Sequence, residues 1–175
     1  TLNTSFALTA HNKANGAVLW GMRYNLAGFG AGEFSAEVIR ASPTRLLIYG
    51  GATGTNRNVF LMLVNDVTGA VEWTYTYDSG ADDWVTYSSQ RELVMLNNSY
   101  YMVGTQLRTP TDQDLLLLRV PLSGRLEGCA RDTVAVDTIP VMGFTPNQST
   151  LGGVNLAAAQ FPPTAEAPLP IVNAC

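Results

Sequence analysis

An all-β fold built from repeated four-stranded units is the expectation from this sequence, and three observations carry it. The 175 residues are 46% hydrophobic and 14% charged, enough apolar material for a core and unusually little ionic surface. One stretch is written twice: Phe-Ala-Leu-Thr-Ala-His-Asn-Lys-Ala-Asn-Gly-Ala-Val-Leu-Trp from Phe6 to Trp20, and Val-Phe-Leu-Met-Leu-Val-Asn-Asp-Val-Thr-Gly-Ala-Val-Glu-Trp from Val59 to Trp73. No segment before residue 139 carries a capped 3.6-residue apolar period, which a helix would need.

The repeat is anchored at three landmarks. Gly16 to Gly69, Trp20 to Trp73 and Tyr24 to Tyr77 are each 53 residues apart, and Trp20, Trp73, Tyr24 and Tyr77 are expected in the blade core, with Trp20 and Trp73 at equivalent buried positions. A third copy, Asp114-Leu-Leu-Leu-Leu-Arg-Val-Pro-Leu-Ser-Gly124, lies 55 residues beyond Gly69 and ends differently, with Gly128 where the Trp would stand. The other half of the unit repeats as well, since Leu46-Leu-Ile-Tyr-Gly50 returns 54 residues later as Tyr100-Tyr-Met-Val-Gly104.

Each unit resolves into four short strands. Leu46 to Gly50 and Val59 to Val64 are β-branched, aromatic and apolar enough for buried strands. Between Val64 and Val71, Asn65-Asp-Val-Thr-Gly69 is a hairpin turn, with Asp66 expected to supply local side-chain bonding and Gly69 a positive φ. Val71, Trp73, Tyr75 and Tyr77 alternate with Glu72, Thr74 and Thr76, which places four large side chains on one face of a strand. A fourth strand, roughly Val85 to Met95, precedes a turn at Asn97-Asn98. About fifty residues and four antiparallel strands is the arithmetic of a β-propeller blade.

This reading assigns residues 1–128 to blade-like repeats, with landmarks at 6–20, 46–73 and 100–124, then a linker at 129–139 and a tail at 140–175. A closed propeller needs about four blades. The chain is therefore expected to be an incomplete propeller or the C-terminal part of a larger one, the alternative being an open two-blade sandwich completed by dimerisation. The tail holds six of the nine prolines and one charged side chain, Glu166. It is Pro/Ala-rich and irregular, yet it contains Val141, Met142, Phe144, Leu151, Val154, Leu156, Phe161, Leu169, Ile171 and Val172, so it is expected to lie against protein surface, its own or a partner's.

Composition excludes several function classes. Net charge is −4 with a pI near 4.8, without the basic footprint of a nucleic-acid binder. No run of 18 apolar residues exists to span a membrane, and the first residues, Thr-Leu-Asn-Thr-Ser, have neither the basic nor the apolar part of an export signal, which is expected to have been removed already. One His and two Cys cannot build the His/Cys-rich zinc, haem or iron–sulfur sites, and no cofactor is expected. In an exported chain Cys129 and Cys175 are expected to pair, closing a loop that the chain-entropy relation values at about 4 kcal/mol. Unpaired thiols, or a bond from Cys175 to a residue further on, are the alternatives.

No constellation of catalytic residues emerges. His11 stands beside a turn with no Asp partner and reads as a surface residue, and Ser88-Ser89 lacks a nucleophile elbow. Asp78, Asp82 and Asp83 share one loop and Asp112 and Asp114 another; they are weak calcium candidates whose spacing matches no dedicated loop, so solvated turn chemistry is the preferred reading. Gly28-Phe-Gly-Ala-Gly32 is glycine-rich but is followed by Glu33-Phe-Ser rather than a Lys-Ser helix start, and reads as a blade loop.

The order strand-Gly, variable loop, apolar strand, Asp/Asn-x-x-Gly-x-x-x-Trp, aromatic strand and Asp-containing loop resembles the β-propeller repeats of large secreted proteins of Bacteroidetes. The resemblance covers roughly residues 6 to 128 and is best from Arg45 to Gly124. The Gly-x-x-x-Trp element also looks like the tryptophan-docking repeat of quinoprotein dehydrogenases, but the first copy lacks the Asp that family places before the Gly, and the third lacks the Trp. The first resemblance implies a secreted or cell-surface, non-enzymatic structural or adhesive module. Its partners would be the remainder of the same propeller, another subunit, or a surface glycan or protein. The second implies part of a quinoprotein-like or carbohydrate-active propeller enzyme whose site lies in other blades. Asp132-Thr133-Val134 and Asp137-Thr138-Ile139 fit the Asp-Ser/Thr-apolar O-glycosylation pattern of Bacteroidetes, which makes Thr133 and Thr138 candidate acceptors. Asn3, Asn97 and Asn147 are sequons that matter only in a eukaryotic source.

Overall fold

The computed structural model describes residues 5–29, 34–79, 81–84, 93–109, 111–126, 131–133 and 135–140. Among them the chain is all-β, in three antiparallel sheets. The first repeat contributes β1 (Phe6–His11) and β2 (Val18–Leu26), paired with Phe6 opposite Tyr24 and Ala10 opposite Trp20. The second sheet is a meander of β3 (Phe34–Ser42), β4 (Arg45–Thr53), β5 (Arg57–Asn65) and β6 (Val71–Tyr77), a full four-stranded unit. The third has β7 (Asp82–Trp84), β8 (Leu93–Leu96), β9 (Ser99–Thr109) and β10 (Asp112–Pro121), with both β7 and β8 on β9. Of the strand expected over Val85 to Met95, β8 covers the end, and residues 85–92 lie outside the described residues.

The middle sheet is covered on both sides, which explains its unbroken apolar runs. One face, with Ile48, Ala52, Phe60, Met62 and Val64, packs on Phe6, Tyr24 and Leu26 of the first sheet. The other, with Leu47, Tyr49, Val59, Leu61 and Leu63, packs on Leu93, Tyr100, Met102, Leu116 and Val120 of the third. Burying a side chain of this size contributes about 1.5–3 kcal/mol, so these two layers dominate the stability of the stack. Glu37 accepts a bond from the amide of Leu93, and Tyr49 donates its hydroxyl to the carbonyl of Val103, so polar groups also register the second sheet on the third.

The turns follow the sequence closely, with one correction. Gly16, Gly69 and Gly124 share φ near +72° (71°, 72° and 73°), a conformation a β-carbon disfavours. Asn97 and Asn98 both have positive φ, as a two-residue hairpin between β8 and β9 requires. It is Asn65, not Asp66, that holds the second turn by its side chain: its Oδ1 accepts from the amides of Val67 and Thr68. Asp66 instead pairs with Arg40, because the carboxylate at the turn's shoulder points across to β3.

Beyond Gly124 the third repeat departs from the second. Where β6 folds back beside β5, the third repeat has no Trp to seat, and the chain leaves β10 for the outer strands of the other sheets. β11 (Arg131–Thr133) pairs with β6, and β12 (Val136–Pro140) pairs with β2. The stretch 129–139, expected as a linker, thus contributes strands along two exposed sheet edges that would otherwise offer unpaired backbone groups. The tail from residue 141 lies outside the described residues.

Candidate functional site

The most repeated chemistry in the chain lies at the seams between sheets. At the first seam the indole Nε1 of Trp20 donates to the carbonyl of Asp66 at 2.7 Å, and the hydroxyl of Tyr24 donates to the carbonyl of Gly69 at 2.8 Å. A β-carbon on Gly69 would stand 2.8 Å from Cγ of Met22 and 2.9 Å from Cε3 of Trp20. One repeat later Tyr77 donates to the carbonyl of Gly124 at 2.6 Å, and a β-carbon there would stand 2.7 Å from the ring of Trp73. Gly69 and Gly124 are therefore each a floor for the aromatic pair of the preceding repeat. Glycine is needed twice over, for its φ and for the ring lying on it.

The two full turns share their main hydrogen bonds. Asn12 and Asn65 each donate their amide five residues ahead, to Ala17 and Ala70, and accept from the amides of Gly16 and Gly69. Their side chains accept from Ala14 and Val67, while the residue before each glycine, Asn15 or Thr68, caps the amide after it. In the third copy Gly124 bonds back to Pro121, and Ser123 takes the capping place. Local polar chemistry thus builds the same turn twice and a shorter one at Gly124.

Gly16 differs in what meets it. Among the described residues no heavy atom lies within 4 Å of where its β-carbon would be, and its carbonyl is met by Nδ1 of His11 at 3.1 Å. His11 is exposed, and its Nε2 lies 3.1 Å from Oγ1 of Thr9. It occupies the place of Val64 in the repeat and, in this structure, the place at Gly16 that a tyrosine hydroxyl takes at Gly69 and Gly124.

A second polar group sits between the second and third sheets. Asp83 is buried and accepts from both the amide and the hydroxyl of Ser79, and Gln106 donates to that hydroxyl. Burial pushes the carboxyl of Asp83 up, against the two hydrogen bonds from Ser79 that pull it down, with Asp78 and Asp82 adding to the rise. Asp82 accepts from the amide of Arg57, tying the loop to β5. The sequence pointed to Asp78, Asp82 and Asp83 as a cluster, and the structure gives Asp82 and Asp83 separate partners. Asp112 and Asp114 stand at the start of β10. Among the described residues no group of three or more His, Cys, Asp or Glu converges as metal ligands would.

Trp20 and Trp73 are half-buried on β2 and β6, and Tyr24 and Tyr77 are buried four residues further along the same strands. Tyr24 is pushed up to about 12 by burial. Thr138 is exposed on β12; Thr133 belongs to β11, and its side chain lies outside the described residues, as do Cys129 and Cys175. Sequence reasoning missed Ser79 and Gln106, which carry no motif, although Ser79 lies four residues before Asp83. It also missed Tyr49, whose apolar neighbours mark it as core but not as a hydrogen-bond donor. Among the described residues no helix is long and apolar enough to cross a membrane. No protein-family model matches the chain, and no curated protein or solved structure matches it either.

Proposed function

We propose that the chain is a non-enzymatic, extracellular structural or adhesive repeat module of a larger secreted or surface protein, related to the propeller repeats of Bacteroidetes. On this reading its sheets are blades of an incomplete β-propeller or of the C-terminal part of one. The observation that supports it most is the seam geometry: the same Tyr-to-Gly bond and the same Trp-on-Gly contact recur from one repeat to the next. The hydroxyls of Tyr24 and Tyr77 serve here to set sheet on sheet. Its partners are the rest of the same propeller, another subunit, or a surface glycan or protein. Labelling intact, unpermeabilised host cells with an antibody to this chain tests the address. Signal at the surface or in the medium is expected, and retention wholly inside the cell would sink the proposal.

The Trp-on-Gly contact also favours a second reading, a quinoprotein-like or carbohydrate-active propeller enzyme with its site in other blades. Against it, Leu46 to Tyr49 and Tyr100 to Val103, the apolar strands that the sequence offers as candidates for an inner wall, carry neither carboxylate nor guanidinium. Redox or glycosidase turnover by the complete host protein would favour this second reading over the first.

A further inference from the structure

At one end of the stack the outward face of the first sheet mixes the small or polar Ala7, Thr9, His11 and Arg23 with the exposed Val18 and Ile139, which pair with His11 and Arg23. At the other end the outward face of the third sheet carries Val94, Leu96, Val103, Leu115 and Leu117, all exposed. Leu115 and Leu117 are 68% and 61% exposed, whereas Val59 and Leu61, which hold the same places in the second sheet, are 0% exposed because the third sheet covers them. The equivalence follows from register: Leu61 pairs with Tyr49 as Leu117 pairs with Val103, three residues before Val64 and Val120. Moreover, β10 ends its sheet among the described residues, with no described strand in the place that β6 takes beside β5.

One segment of the chain has chemistry to match. Residues 141–175 carry ten large apolar side chains and a single charge, Glu166. They follow β12, which already lies along an outer strand. Fully extended, 35 residues reach about 115 Å, several times the roughly 20 Å across three sheets stacked about 10 Å apart, so the tail can reach the far face from β12. Within it, Pro168-Leu-Pro-Ile-Val172 has the pattern of an edge strand. Prolines two apart remove N–H groups from one edge alone and leave those of Leu169 and Ile171 on the other.

We propose that residues 141–175 fold over the outward face of the third sheet, with Leu169 to Val172 added as a strand beside β10 and the other apolar side chains covering Leu115 and Leu117. The tail then does for the third sheet what the third sheet does for the second. Being on the same chain, it acts at a high effective concentration and needs less contact area than a separate partner would.

Hydrogen exchange on the full chain, read by mass spectrometry at two well-separated concentrations alongside its molar mass in solution, tests this. A monomer is expected in which the amides of Leu169 and Ile171 exchange about tenfold or more slower than in a free peptide, equally at both concentrations; tenfold corresponds to about 1.4 kcal/mol of closure. The double variant Leu115→Lys, Leu117→Lys should lose that protection while its melting temperature stays within a few degrees. Leu169→Lys with Ile171→Lys probes the same contact from the tail, where a charge cannot unfold the repeats, and should speed exchange along β10. Free-peptide exchange in the unaltered tail would overturn the proposal, and so would protection that survives both double variants. Protection of β10 that grows with concentration, in a dimer, would overturn it in favour of a second copy on this face.

Discussion

Tyr24 reaches across the first seam to donate its hydroxyl to the carbonyl of Gly69, and 53 residues later Tyr77 does the same for Gly124. The acceptor is backbone and the donor sits at the tip of a buried ring, so the bond fixes the height of one sheet on the next as well as their distance. An apolar ring would fill the same space without choosing a register. The carbonyl is available because the glycine has positive φ, and the ring can approach because the glycine has no side chain. One residue type at the turn therefore serves both the local hairpin and the contact with the preceding repeat.

Gly69→Ala should be far more damaging than Gly16→Ala. Both place a β-carbon at φ near +70°, at a cost of about 1–2 kcal/mol. At Gly69 the new carbon also meets Met22 and Trp20 inside 3.0 Å, adding about 1–3 kcal/mol of overpacking, while at Gly16 it meets nothing. Chemical denaturation of the two variants side by side measures the gap, and equal losses would contradict the seam.

Tyr24→Phe should lose about 1 kcal/mol at neutral pH through the missing bond to Gly69. An unfolded tyrosine ionises near 10.0, whereas Tyr24 in the fold is pushed up to about 12. Between those values the folded chain holds a proton that the unfolded chain has released, so stability falls as pH rises through this window. The variant has no such proton, and the deficit of Tyr24→Phe should narrow on going from neutral pH to pH 12. Melting curves across the alkaline range check this; a constant deficit would assign Tyr24 no part in alkaline sensitivity.

Asp83 should make the fold more stable in mild acid than at neutrality. Its carboxyl is pushed up by burial, so as pH rises from the ordinary value of 3.8 through the raised one, the unfolded chain loses its proton first and the contribution of Asp83 to stability declines. Asp83→Asn keeps an oxygen for the amide of Ser79 and removes the titration. Relative to this variant, the native chain should gain stability as pH is lowered from 7 toward 4. A difference that is flat, or that grows with pH, would contradict the burial argument.

Thr138 lies exposed on β12, the outer strand of its sheet, where an attached sugar would meet solvent. If the Asp137-Thr138-Ile139 pattern is read by the host, intact-mass analysis of native protein should show a glycan that is lost in Thr138→Ala and in Asp137→Ala. An unmodified mass at this site would remove the glycosylation expectation and leave the repeat reading untouched.

The local grammar of the repeat could be read from the residues alone. The 53-residue spacing, the strands at Leu46 and Val59, the hairpin glycines and the Asn97-Asn98 turn were all legible, because each depends on a few neighbouring residues: a side-chain alternation, a positive φ, an amide capped two residues away. Tertiary structure decided the rest. Nothing in Leu115-Leu-Leu-Leu118 says which side is covered, since adjacent leucines are chemically alike and the pleat alone sends them to opposite faces. Nor could Arg131 to Pro140 announce strands on β6 and β2, because edge pairing uses backbone groups that every residue but proline shares, and the partner is chosen by where the chain stands after Gly124. The carboxylates of Asp66 and Asp83 followed the same rule: the residue type suggested turn chemistry at both, and only the packing of β3 and β9 beside them supplied Arg40 to one and a dry pocket to the other.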